Sequence, residues 1–329
     1  MEMGYVKDMM KTLEIAADFM RGGGVRWCPE CGTELGLNPI DPWHNGVQCP
    51  ACGNTYSWQH WTYLSEKWCW DNGNTGLVSF HGDEVDVEVP HHCTRIYSYA
   101  FSNSNAVSVQ VPDSVTVIEP FAFCNNSHLK SVVLPDGLQR IEEGTFLGCE
   151  NLLQVSIPRT VKYIGKNAFS GCTSLKKVTL PESVRMIDTG AFAGSGLHQA
   201  CLTSAKLIAE NAFSGCHNLW SVELNATQIG NRAFANCKHL REVKLAEGVL
   251  TIGEQAFMNC LELDHLHIPT NVHQFGNQAF ANVPKLSVRI PKLLEEHCLH
   301  FCPCHPKYGK ERHYLFEKAA RIHFYEGGI

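Results

Sequence analysis

A phenylalanine returns along most of this chain at an almost constant interval, and that interval constrains the fold more than any other feature. Phe101, Phe123, Phe146, Phe169, Phe192, Phe213, Phe234, Phe257 and Phe280 follow one another at spacings of 22, 23, 23, 23, 21, 21, 23 and 23 residues, each preceded by Ala or once by Thr. Other apolar positions keep step with it: Phe146 leads to Cys149, Leu152, Val155, Ile157 and Pro158, and Phe169 to Cys172, Leu175, Val178, Leu180 and Pro181. Units marked by Phe213, Phe234 and Phe257 repeat the same offsets and end at Leu224, Leu245 and Ile268. A period of this length marks a stack of like units, because one unit cannot bury its own apolar face and needs its neighbours to do so.

Within a unit, Leu-x-x-Val-x-Leu has a period-2 tail, which predicts a short strand whose Val and last Leu point inward. The Pro that follows ends the strand because it has no N–H to donate. The Ala-Phe step fits a short helical or 3₁₀ turn on the opposite side of the coil. An Ile signal precedes each Phe, at Ile141, Ile164-Gly165, Ile187, Ile229-Gly230 and Ile252-Gly253. Val85 to Val89, followed by Pro90, reads as the first of ten strands. Cys149, Cys172, Cys216, Cys237 and Cys260 share one slot three residues after the Phe, which predicts a column of small buried side chains holding structural thiols.

These residues carry a resemblance. The stretch IGKNAFSGCTSLKKVTLPESV is similar to the BspA-type leucine-rich repeat family, and the likeness spans residues 84–291. It implies a right-handed solenoid with a parallel sheet on one face, used for binding proteins or surface ligands, in a family whose members are often exported or surface-attached.

A solenoid of this kind usually binds through its strand face. The outward slots read Ser131, Gln154, Lys177, Gln199, Ser221, Glu242 and His265 in one column, and Val133, Ser156, Thr179, Cys201, Glu223, Lys244 and His267 in the next. The positions leading into the strands add Lys130, Leu153, Lys176, His198, Trp220, Arg241 and Asp264. Trp and Arg dominate interface hot spots, so a protein-binding patch is expected around Trp220 and Arg241, with Glu223, Glu242, Lys244, His265 and His267 beside them. The alternative is a solvated strand face with one incidental Trp.

Ahead of the repeats stand two knuckles, Cys28-Pro-Glu-Cys31 and Cys49-Pro-Ala-Cys52, with 17 residues between Cys31 and Cys49. Four thiolates complete a tetrahedral Zn²⁺ shell, and the segment resembles a zinc ribbon; a redox dithiol pair is the alternative. Four protein ligands leave no open position, so this zinc is structural. Such a metal contributes on the order of 10–16 kcal/mol in small fingers, enough to fold a segment with little core. Zinc ribbons often bind nucleic acid. From Gly22 to Gly82, however, the chain has two basic residues, Arg26 and Lys67, against Glu30, Glu34, Asp41, Glu66 and Asp71, too few cations to neutralise phosphates. Trp27, Trp43, Trp58, Trp61, Trp68 and Trp70 fall in the same segment and are expected to pack on the ribbon or the first repeat, to form a protein interface, or to stack bases.

The ends are expected to be helical. Val6, Met9, Met10, Leu13, Ala16, Ala17 and Met20 follow a 3.6-residue period, and Gly22-Gly23-Gly24 ends it. This amphipathic helix docks on the ribbon or on another subunit. Leu293–His300 and Lys310–Phe324 read as a short and a longer helix capping the solenoid, and Cys298, Cys302, Cys304 and His305 offer a second metal set with no recognised knuckle spacing. The expected organisation is therefore a helix at 1–21, a zinc ribbon with a Trp-rich extension at 22–83, an α/β-type leucine-rich-repeat solenoid at 84–291 and a helical cap at 292–329. No apolar run reaches the roughly 20 residues of a membrane helix. The first 21 residues mix charged and apolar groups unlike a signal peptide, and most of the 16 cysteines need no oxidation, so a reducing, cytoplasmic setting is expected. No phosphate loop, nucleophile elbow or open zinc motif is present. The sequence thus points to a non-enzymatic protein-interaction module, with nucleic-acid association through the ribbon as the alternative.

Overall fold

The computed structural model describes residues 46–48, 55–57, 67–71, 75–292 and 321–325. The N-terminal helix at 1–21, the ligands Cys28, Cys31, Cys49 and Cys52, and the set Cys298, Cys302, Cys304 and His305 lie outside the described residues.

Numbered by their marker, coil 1 (Phe101) to coil 9 (Phe280) stack into a parallel-sheet β-solenoid. The period-2 tails form its principal face: Asp86–Glu88, Ser108–Gln110, Ser131–Val133 and Gln154–Ser156 in one sheet, then Gln199–Leu202, Ser221–Leu224, Glu242–Leu245, His265–His267, Ser287–Pro291 and Arg321–Tyr325 in another. All neighbours within these sheets are parallel and pair without offset, Val132 beside Val155 and Val222 beside Val243, so like side chains form columns down the stack. The inner columns are buried, with Val178, Leu180 and Leu245 only partly so. The expected strand at Lys177–Thr179 is absent, and this interrupts the principal face at coil 4.

The Ile signals are a second sheet, not foreseen as one. Pairs of residues from Arg140–Ile141 to Gln274–Phe275 make a seven-stranded parallel ladder with each Ile buried. Where Gly follows the Ile the coils approach closely: a Cβ on Gly165 would lie 2.6 Å from the Glu142 carbonyl carbon of the preceding coil.

The Ala-Phe run is neither α-helix nor 3₁₀-helix but a series of turns. The Phe146 N–H donates to Ala168 of the next coil at 2.8 Å and Phe169 to Ala191 at 2.7 Å, so these amides bind between coils rather than within a helical ladder. Residues two before and two after every Phe take positive φ, from Tyr99 and Asn103 to Gln278 and Asn282, a conformation that interrupts any right-handed helix. The nine Phe rings are fully buried and stack face to face at centroid separations of 4.8 to 5.4 Å.

Both ends of the stack are strands where described. Trp68–Trp70 pairs antiparallel with Gly76–Phe80, which pairs in parallel with Arg95–Ile96 in a separate four-stranded sheet that ends at Val117–Ile118. Phe80 starts the ring column 5.4 Å from Phe101, with Trp68 4.9 Å from Phe80 and Trp70 4.6 Å from His92. These two tryptophans pack on the first repeat, and the stack begins at Trp68, ahead of residue 84. At the other end the helix expected over Lys310–Phe324 is overturned at its tail. Residues Arg321–Tyr325 are a strand parallel to Ser287–Pro291, with Ile290 beside Phe324. Arg-Ile-His-Phe-Tyr has the alternation of a strand, and the open edge of coil 9 supplies its hydrogen bonds.

Candidate interaction surface

The slot three residues after the Phe is a column of donors. The thiols of Cys149, Cys172, Cys216, Cys237 and Cys260 each donate to the carbonyl of the Phe one coil earlier, at 3.0 to 3.3 Å. Coil 2 places Asn126 there instead, fully buried. Its amide nitrogen donates to Phe101 O at 3.3 Å and to Ser104 Oγ at 2.8 Å. Coil 5 places Ser195, whose hydroxyl lies 3.3 Å from the Cys216 sulfur. Burial pushes the Cys149 thiol up to about 12 and holds Cys172 and Cys237 well above the ordinary thiol value. Burial thus keeps Cys149, Cys172, Cys237 and Cys260 protonated, which makes them poor nucleophiles and metal ligands. They fasten one coil to the next.

The principal face is where side chains are free to meet a partner. Trp220 leads into the strand of coil 6 and is 43% exposed. Glu223 projects from that strand, beside Lys244 in the neighbouring one. Arg241, next along the Trp220 column, donates through Nε to Glu262 at 2.5 Å, and His239 Nδ1 lies 2.9 Å from the other oxygen of that carboxylate. Arg241 and then His239 hold the Glu262 carboxyl below its ordinary value. Glu242 lies 3.1 Å from Lys244 and accepts from Ser221 Oγ at 3.1 Å, and both bonds keep its carboxyl low. His265 pairs with Asp264 at 3.0 Å. His267 sits under Tyr325 with ring centroids 4.8 Å apart, and the Tyr325 hydroxyl donates to Ile268 O at 2.9 Å.

The structure thus sets Trp220, Glu223, Arg241, Glu242, Lys244, His265 and His267 on one face of coils 6 to 8. Two contributors were missed from sequence. Glu262 lies outside the strand columns, and its only sequence signal is its place one coil beyond Arg241. Tyr325 falls one residue past the helix expected over Lys310–Phe324, within the cap segment, although the alternation around it is visible. Among the described residues no group of three or more His, Cys, Asp or Glu is arranged to hold a metal ion, and no helix is long and apolar enough to cross a membrane. Gly46–Gln48 pairs antiparallel with Thr55–Ser57, two strands that bracket Cys49-Pro-Ala-Cys52 in the sequence.

A short-period parallel solenoid with a stacked aromatic column and a side-chain-bearing sheet is a leucine-rich-repeat architecture. The BspA type leucine rich repeat region matches in six copies, over residues 94–220 and 206–302, and the chain belongs to that family. Among solved structures it is similar to a leucine rich repeat protein of T. pallidum, with 23% identity over 77% of this chain and 96% of that one and a TM-score of 0.43. It is similar also to a leucine rich cell surface protein of Faecalibacterium prausnitzii, with 22% identity over 78% and 92% of the two chains and a TM-score of 0.39. The pneumococcal vaccine antigen PcpA gives 22% identity over 78% and 82%, with a TM-score of 0.41. No curated protein matches the chain.

Proposed function

We propose that this chain is a non-enzymatic protein-interaction module of the adaptor or inhibitor type, with the principal sheet face as its binding surface. The observation that carries the reading is the exposed, column-ordered face around a half-exposed tryptophan, held on a stack whose reactive groups are otherwise buried in structural bonds. Hot-spot residues of this kind each contribute roughly 2 kcal/mol or more at an interface centre. The groove lined by Glu182, Arg185, Thr203, Ser204 and Lys206, about 310 Å³, is shallow and holds no nucleophile–base pair, which fits binding better than catalysis. To test the placement, a partner captured by the wild-type chain is measured against Trp220→Ala/Arg241→Ala. The expected result is at least a tenfold loss of affinity, and unchanged affinity overturns this location.

The proposal extends to a structural zinc ribbon held by Cys28, Cys31, Cys49 and Cys52 and placed ahead of the stack as a second docking module. The antiparallel strands on either side of the Cys49–Cys52 knuckle support it, since a hairpin commonly carries such a knuckle. Elemental analysis of the purified chain is expected to give about one zinc per molecule, falling by more than half in Cys49→Ser/Cys52→Ser. Zinc content unchanged by that substitution removes the ribbon from the reading. The free, carbonyl-bonded thiols of the inner column fit a reducing, cytoplasmic setting.

A further inference from the structure

The two halves of the principal face differ in how their charges are spent. In coils 6 to 8 the charged side chains largely neutralise one another, through Arg241–Glu262, Lys244–Glu242 and His265–Asp264. In coils 1 to 5 the outward positions, from Val107 to Cys201, carry no carboxylate at all. They carry Lys130, Lys176 and Lys177, each exposed, and none of the three forms an ion pair with a described residue. Among these cations stand Val133 and Leu153, 50% and 54% exposed, with Trp220 at the far boundary. The face is closed off by acids on either side, Asp86 and Glu88 before it and Glu223 after it.

The sheet is also interrupted here. Residues 177–180 form no strand and make no backbone hydrogen bond with other described residues. The coils nevertheless stay stacked through the gap: the His198 N–H donates to Lys176 O at 3.0 Å, and the Phe169 ring lies 5.2 and 5.0 Å from its two neighbours, so the lysines keep the spacing of the coils.

We propose that coils 2 to 5 bind an extended acidic protein segment that also carries aliphatic side chains. Its carboxylates meet Lys130, Lys176 and Lys177, and its aliphatic groups cover Val133 and Leu153. The chemistry favours protein over nucleic acid, because phosphates gain nothing from exposed Val and Leu, there is no Arg among these outward positions, and the flanking acids repel a continuing phosphate backbone. The inference rests on the principal face being the binding face and names what it takes.

An array of peptides of about a dozen residues with varied composition, probed with the full chain, tests it. Bound sequences are expected to be rich in Asp or Glu together with Leu, Ile or Val. Affinity for them should fall at least tenfold in Lys130→Glu/Lys177→Glu and about threefold in Leu153→Ser, and weaken severalfold between low and high salt. All these side chains are exposed, and unchanged melting curves check that the variants fold. Binding without acidic preference, acidic binding unaffected by charge reversal, or a single-stranded DNA probe bound equally well and lost equally in the variant overturns the proposal. Loss on Trp220→Ala/Arg241→Ala but not on lysine reversal sinks this inference while leaving the principal face as the binding surface. If neither variant changes binding, both readings fall.

Discussion

At the scale of single residues, the coil is shaped by positions that take a left-handed backbone. All described residues with positive φ sit two places before or after a marker Phe, and most are Gly or Asn. Such a residue turns the chain where an ordinary side chain would strain against its own backbone by about 1–2 kcal/mol. The signal was in the sequence, as Asn167 and Gly171 around Phe169 or Asn211 and Gly215 around Phe213, but it was read as part of a helical turn. Periodicity of apolar residues reports which side chains point inward and says little about the sign of φ. Gly194 separates conformation from space, because its φ is +66° and a Cβ there meets nothing within 4 Å. Gly194→Asn is expected to leave stability unchanged or raise it by up to about 1 kcal/mol, since Asn tolerates this conformation and restricts the unfolded chain. Gly194→Val, with the same free space, should lower it by about 1–2 kcal/mol. Urea unfolding of the two variants decides it; equal effects would mean that φ is not what the position selects for.

At the scale of the element, the strands are two to five residues long, and none holds together alone. What carries them is the ring column, in which every marker Phe from Phe101 to Phe257 contacts a Phe on each side. The strands of the principal face were legible because their alternation and closing Pro are spelled out in Val155-Ser156-Ile157-Pro158. The second sheet was not, because a two-residue strand such as Tyr163–Ile164 is too short to show a period and only becomes a strand through its neighbours. The interruption at coil 4 left no mark either: Lys177-Val178-Thr179-Leu180 has the same pattern as its neighbours. Removing a ring from the middle of the column opens a cavity between two coils. Phe169→Ala should therefore destabilise by about 3–5 kcal/mol, and Phe169→Leu, which retains most of the volume, by clearly less. Chemical denaturation distinguishes them, and a loss below 1 kcal/mol for the alanine variant would show that the column is not the main source of cohesion.

Across the whole molecule, each described coil packs mainly on the coils beside it, so stability is approximately a sum of neighbouring interfaces and the ends need protection. The N-terminal protection is the hairpin Trp68–Phe80, in which Phe80 covers the first ring, Trp68 packs on Phe80 and Trp70 on His92; Lys67 adds an ion pair to Glu84 at 2.6 Å. The repeat pattern announced the middle of the stack from the spacing of one residue type, whereas this cap has no marker Phe and was assigned to the segment before it. A cap differs in sequence because it faces a repeat on one side and something else on the other. Its role can be read by hydrogen exchange. With Trp68→Ala and Trp70→Ala together, amides of the first coils, from Ile96 to Ile118, should lose protection by at least tenfold, while those around Phe213 and Phe234 keep theirs, because the lost contact reaches them only through several intact interfaces. A uniform fall along the stack would instead mean that the coils open as a single cooperative unit, and nearest-neighbour cohesion would have to be given up for this solenoid.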